Sequence, residues 1–223
     1  MSQPQITICL AQSSKHPDIL QFLSSNTCLH QNLEWLSIEE LLYHHQCHIG
    51  IDGDNIVCVL SIPKEDTDFA WVRLASSYNF SDSIEVMQLL WNKVEHILRQ
   101  QDICSVYALS TNNWSETLLN SWGYTATGKI VALRRRHKST PGVTESLAKI
   151  REATYEDLCE ITSLDNAVFN NMWQCSSQML TMALNKAQYA IVALVNNTCI
   201  GYLLATINTN VLFIARLAVL PEY

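Results

Sequence analysis

The sequence predicts a mixed α/β chain (α+β, mixed sheet) made of two successive units that open in the same way. Three observations lead there. Short apolar strands alternate with amphipathic helices along the whole length. A stretch of turn-forming residues without apolar period, Lys138 to Ser146, interrupts them. Finally, Arg73-Leu74-Ala75 recurs as Arg216-Leu217-Ala218, and laying one on the other superposes a hairpin turn in each half.

In the first unit, Ile6 to Leu10 reads as a strand, Pro17 to Ser24 as a short helix and Ser37 to Tyr43 as a second. Ile49 to Asp52 and Ile56 to Ile62 flank Gly53-Asp54, the chemistry of a tight hairpin. Phe69 to Ala75 is the next strand. Ile84, Met87, Leu90, Trp91, Val94, Ile97 and Leu98 then recur at helical spacing behind Asp82 and Glu85, which stand at capping-box distance. Ser105 to Leu109 is strand-like. Asn113 to Trp122 reads as a helix capped by Asn113 and Glu116 and stopped at Gly123. Gly128 to Leu133 is expected to close the unit as a strand.

The second unit repeats the opening. Lys149 to Ala153 is a strand, Tyr155 to Leu164 and Ser176 to Leu184 are helices, and Ala190 to Val195 and Cys199 to Ile207 flank Asn196-Asn197. Val211 to Val219 follows as a strand. The expected organisation is a domain over 1–137, a linker over 138–147 and a second unit over 148–223.

Composition excludes several classes. Apolar residues make up 48% of the 223 and charged residues 16%, enough for a packed core and unlike a disordered chain. A net charge of −7 argues against nucleic acid as partner, because that binding neutralises phosphates with Lys and Arg. The run Arg134-Arg135-Arg136-His137-Lys138 reads as a solvated strand end. The apolar runs fall short of the roughly 20 residues of a membrane span, and the N-terminus lacks the pattern of a signal peptide. A cytoplasmic protein is expected, with its eight cysteines as small core hydrophobes. His44, His45, Cys47 and His48 gather metal-ligand types, but a helix-to-strand junction aims them in different directions, and no metal is expected.

Ile150-Arg151-Glu152-Ala153-Thr154 leading into Glu156-Asp157-Leu158, then Cys199-Ile200-Gly201-Tyr202, then Ala215 to Tyr223, with Trp122-Gly123-Tyr124 closing the first unit, resemble the GCN5-related N-acetyltransferase superfamily. The resemblance implies an acetyltransferase-like fold in tandem: a complete but degenerate N-terminal copy, then a C-terminal copy ending before the loop for the coenzyme A pyrophosphate. It implies transfer of an acetyl group from acetyl-CoA to a small-molecule or peptide amine by direct attack. Main-chain groups of Leu217, Ala218 and Val219 would hold the pantetheine arm.

Glu222 and Tyr124 are the candidate general base and acid, and Asn170, Asn171 and Trp173 the candidate acceptor contacts. In the first copy the phosphate-loop position, Ser77 to Ser83, has no glycine, and Leu119 stands where the family often carries a tyrosine acid. The rival reading is a non-catalytic acetyltransferase-like binding or oligomerisation module. A homodimer covering strand 211–219 would serve either reading, since open strand edges invite pairing.

Overall fold

The computed structural model describes residues 6–44, 47–64, 68–78, 83–136 and 147–223. These fall into two compact units, Met1–Thr125 and Ala126–Tyr223. Apart from Leu147, the expected linker lies outside the described residues, as do His45 and the 79–82 part of the glycine-free stretch.

The first unit runs β1 (Thr7–Leu10), α1 (His16–Ser25), β2 (Leu29–Gln31), α2 (Ile38–Tyr43), β3 (Cys47–Asp52), β4 (Asn55–Ser61), β5 (Phe69–Trp71), β6 (Leu74–Ser77), α3 (Ser83–Gln100), β7 (Ser105–Tyr107) and α4 (Asn113–Ser121). An antiparallel sheet orders these strands β1-β3-β4-β6-β2, while β5 pairs in parallel with β7. The hairpin turn is where the sequence placed it, with Gly53 at φ +60°. One apolar cluster packs α3 and α4 on Cys58, Leu60 and Ile62, and includes Trp91 stacked on Trp122 at 4.7 Å. A second packs α1 and α2 on Ile49, Val59 and Leu74.

Four expectations are corrected here. The strand expected over Phe69 to Ala75 is broken at Val72-Arg73, where β5 bonds β7 and β6 turns to β4. A strand at Leu29–Gln31 was not foreseen. Gly128 to Leu133 forms no strand: no partner ladder reaches it among the described residues, and Ile130, Val131 and Leu133 stay exposed. The cap of α4 is Asn112 with Ser115, not Asn113 with Glu116. The Asn112 side chain accepts from the Ser115 amide at 2.8 Å and donates to the Leu29 carbonyl at 3.1 Å. Asn112→Ala is therefore expected to cost about 1 kcal/mol or more in denaturant unfolding.

The second unit runs β8 (Lys149–Glu152), a 3-10 turn (Tyr155–Asp157), α5 (Leu158–Val168), a 3-10 turn (Asn171–Trp173), α6 (Ser177–Lys186), β9 (Tyr189–Val195), β10 (Thr198–Asn208) and β11 (Val211–Val219). Its antiparallel sheet is ordered β11-β10-β9-β8. Ile161, Leu164, Met179, Leu180 and Ala183 line the buried stripes of α5 and α6. Arg151 grips Asp157 at 2.7 and 2.6 Å, and this holds the Asp157 carboxyl down at about 2. A depressed carboxylate stabilises the fold above its unfolded value, so the second unit should lose stability as pH falls from about 4 toward about 2. Thermal unfolding of Asp157→Asn, flatter over that window than the parent, would check it.

Irregularities recur at matching places. With Arg73 laid on Arg216, the extra residue of β4 opposite Gly50-Ile51 is Val57, and that of β10 opposite Leu194-Ala193 is Ile200, its aligned position. The break at Val72-Arg73 overlaps the position aligned with Ala215, the residue skipped between Leu204↔Arg216 and Ala205↔Ile214, with the ladder one residue out of step: Ser61 faces Leu74 where its counterpart Leu204 faces Arg216. Among the described residues, no helix is long and apolar enough to cross a membrane.

Candidate functional site

β11 is the edge strand of its sheet, and its last three residues alternate. Ala218 is 3% exposed under α5, whereas Leu217 and Val219 are 54% and 46% exposed on the other face. The Leu220 amide bonds the Ile200 carbonyl at 2.8 Å, on the β10 side. Main-chain groups alternate sides along an antiparallel strand, so those of Leu217 and Val219 face the outer edge. No strand lies along that edge among the described residues. Two residues earlier, the bulge at Ala215 bends the strand, the kind of irregularity that re-aims groups beside sites.

A buried polar network fixes this strand from below. Asp165 of α5 is fully buried. Its Oδ2 accepts from Arg216 Nε at 2.6 Å and from the Tyr202 hydroxyl, and its Oδ1 accepts from the Cys175 amide at 2.9 Å. Arg216 Nε also reaches the Tyr202 oxygen at 2.8 Å, while its terminal nitrogen donates to the Trp173 carbonyl. The guanidinium lies 4.0 Å over the Phe169 ring. Burial works against the Arg216 charge, but the hydrogen bond to Asp165 and the anionic surroundings hold its pKa above the ordinary value. Burial raises that of Tyr202. Helix α5, strands β10 and β11 and loop 169–175 are thus tied at one charged knot.

The structure gathers only part of what the sequence singled out. Leu217, Ala218 and Val219 lie together on β11. Asn170 caps the Asn171–Trp173 turn and is exposed with Asn171, and Trp173 is half-buried and held through its carbonyl by Arg216. Glu222 is exposed in the turn after β11. Tyr124 belongs to the first unit, where its ring meets Trp91 edge-on at 5.9 Å and its hydroxyl is buried without a hydrogen-bond partner among the described residues. Burial raises its pKa. Leu119 is core. Cys47 is buried in β3, its thiol pushed up to about 11 by burial. Among the described residues no three His, Cys, Asp or Glu side chains converge as metal ligands.

Sequence reading passed over Asp165, Tyr202 and Phe169. The available signal was an acid on an apolar stripe: Asp165 falls four residues after Ile161 and beside Leu164 in α5, where water cannot reach it.

No protein-family model matches the chain, and no curated protein is similar to it in sequence. Solved structures are similar in fold. A GCN5-related N-acetyltransferase from Sphaerobacter thermophilus superposes with a TM-score of 0.63 at 11% identity, covering 100% of this chain and 78% of that one. An aminoglycoside antibiotic 6'-N-acetyltransferase from Acinetobacter baumannii aligns over 59% of this chain and 99% of its own (13% identity, TM-score 0.45). N-acetylglutamate synthase from Neisseria gonorrhoeae, solved with coenzyme A and L-arginine, aligns over 53% and 27% (22% identity, TM-score 0.41).

Proposed function

We propose that this chain, whose fold is that of the GCN5-related N-acetyltransferases, is an acyltransferase that moves an acetyl group from acetyl-CoA to an amine, with the outer edge of β11 as its cofactor edge. The observation that carries the proposal is the open edge at Leu217–Val219, bent by the Ala215 bulge and anchored through Arg216. An extended amide-bearing arm such as pantetheine suits such an edge, because it satisfies strand N–H and C=O groups as another strand would. Outward N–H groups beside the thioester would polarise its carbonyl as charge develops on oxygen.

In the step itself the amine nitrogen attacks the carbonyl carbon and a C–N bond forms. The C–S bond then breaks, the thiolate leaves as coenzyme A and takes a proton, and the nitrogen gives one up. Glu222 is the candidate for receiving that proton, by its position just beyond the edge. Loop 169–175, with Asn170, Asn171 and Trp173, is the candidate acceptor wall. The matching extra residues Val57 and Ile200, and the interruptions near Val72-Arg73 and Ala215, support a duplicated ancestor for the two units.

Calorimetric titration of the 223-residue chain with acetyl-CoA, paired with a free-thiol assay on mixed amines, tests the reading. Micromolar binding with thiol release is expected. No binding at millimolar ligand would overturn it in favour of a non-catalytic module, a role for which the buried Leu119 and Tyr124 of the first unit already suit that half.

A further inference from the structure

Building on the reading that places a pantetheine arm on the outer edge of β11, we infer that the corresponding edge of the first unit is filled by the chain itself: β2 is a built-in occupant of the cofactor edge. Judged from the neighbouring strands, where Ser61 faces Leu74 and its counterpart Leu204 faces Arg216, the residues standing where Leu217, Ala218 and Val219 stand are Ala75, Ser76 and Ser77. β2 runs along them, antiparallel, with Gln31↔Leu74, His30↔Ala75 and Leu29↔Ser76 as partners and the Ser77 amide on the Cys28 carbonyl. The other edge of β6 is taken by β4, so β2 lies on the edge that would remain open without it. β5, the preceding part of the same strand, bonds β7 in parallel, and the Val72 amide still reaches the Tyr107 carbonyl at 2.9 Å. From Arg73 onward the outer edge turns from β7 to the chain leaving β2, and β2 sits in the fork so formed.

Three residues make a poor strand on propensity alone, and the polar contacts around β2 account for its presence. The Cys28 carbonyl accepts from the Ser77 amide at 3.2 Å and from Ser76 Oγ at 2.9 Å. The Asn32 amide donates to the Arg73 carbonyl at 2.9 Å. His30, 1% exposed, lies with Nε2 at 3.1 Å from the Val72 carbonyl at the strand break, which makes that nitrogen the protonated one. From the opposite side, Asn112 at the N-terminus of α4 donates to the Leu29 carbonyl. Just past β2, Glu34 meets Arg73 at 2.7 Å. These bonds occupy main-chain groups on both sides of β2, so an incoming arm would have to displace a buried histidine and a laddered strand together.

The second unit treats the matching stretch differently. Met172 to Gln174 aligns with β2, yet it forms the end of a 3-10 turn and is held by a side chain, Arg216, through the Trp173 carbonyl. It forms no ladder with β11. One loop position is thus a laddered strand in one unit and a tethered turn in the other. The consequence is a single cofactor edge per chain, on β11.

Amide hydrogen exchange on the full 223-residue chain, with and without saturating coenzyme A, tests this. The Ser77 amide, bonded to Cys28, should exchange at least about 100-fold more slowly than an open amide and be unaffected by the ligand. The Leu217 and Val219 amides should exchange freely alone and slow by a similar factor with coenzyme A, at one ligand per chain. Fast exchange at Ser77 in the free protein, slowing there on adding coenzyme A, or two ligands per chain would overturn the proposal. Protection at Ser77 with no ligand effect at Leu217 or Val219 would instead sink the β11 site while upholding the filled edge on β6.

Discussion

Asp165→Ala is expected to cost the second unit about 3–5 kcal/mol, the range for removing one partner of a buried ion pair. For a unit of this size that lowers the unfolding midpoint by about 10 °C or more. The reason lies in what the substitution leaves behind. Arg216, whose side chain is 13% exposed, would keep its charge with only the Tyr202 oxygen, the Trp173 carbonyl and the Phe169 ring around it, and the Cys175 amide would lose its acceptor. Asp165→Asn should fall between parent and alanine, since an amide oxygen can still serve Cys175 but carries no charge for Arg216.

The informative companion is the combined change Asp165→Leu, Arg216→Met, Tyr202→Phe. Replacing a buried charged cluster by apolar groups of similar volume is often neutral or stabilising, so most of the lost stability should return. What should not return is the tie between loop 169–175 and β11. Recovered stability with unrecovered acetyl transfer would assign the cluster to positioning; recovery of both would make it a packing feature only. Chemical denaturation and the thiol-release assay together give the comparison.

Much of this architecture is written in local pattern. β11 was read at Val211 to Val219, its observed bounds, because a charge-poor apolar run between an Asn turn and Pro221 has few alternatives. The α3 helix was read from its apolar stripe for the same reason. What sequence hid is long-range. Nothing in Leu29-His30-Gln31 alternates; the strand exists because Cys28, Asn32 and Asn112 find carbonyls and amides brought in from residues 73–77 and from Leu29 itself. Gly128 to Leu133 shows the converse, a mostly apolar run around Ile130-Val131 that reads as a strand and is not one, because strand structure resides in the partner ladder.

The site divided the same way. Leu217–Val219, the proposed cofactor edge, stand out through the motif around them. The charged knot does not, because Asp165, Tyr202 and Arg216 are far apart in sequence and only the fold brings them within hydrogen-bond reach.

Gly201→Val should sharply weaken ligand binding at the β11 edge while leaving most of the fold intact. Gly201 stands opposite Val219 in the β10–β11 ladder. A Cβ there would sit 2.9 Å from the Ala218 carbonyl oxygen and 3.1 Å from Val219 Cγ2. The first of these atoms is backbone and cannot swing aside, so β11 itself must move. Overpacking of this kind costs about 1–3 kcal/mol, which the remaining ladder can absorb.

The displacement falls on Ala218 and Val219; Val219 carries outward groups proposed to hold the cofactor arm, and Ala218 joins it to Leu217, which carries the others, so coenzyme A affinity should drop at least about tenfold. Gly128→Ala is the matched control, because among the described residues no atom beyond its chain neighbours lies within 4 Å of its added Cβ, and it should bind as the parent does. If Gly201→Val folds and binds coenzyme A as tightly as the parent, the cofactor edge is not at Ala218-Val219, and the open outer edge of β11 must serve something other than acyl transfer.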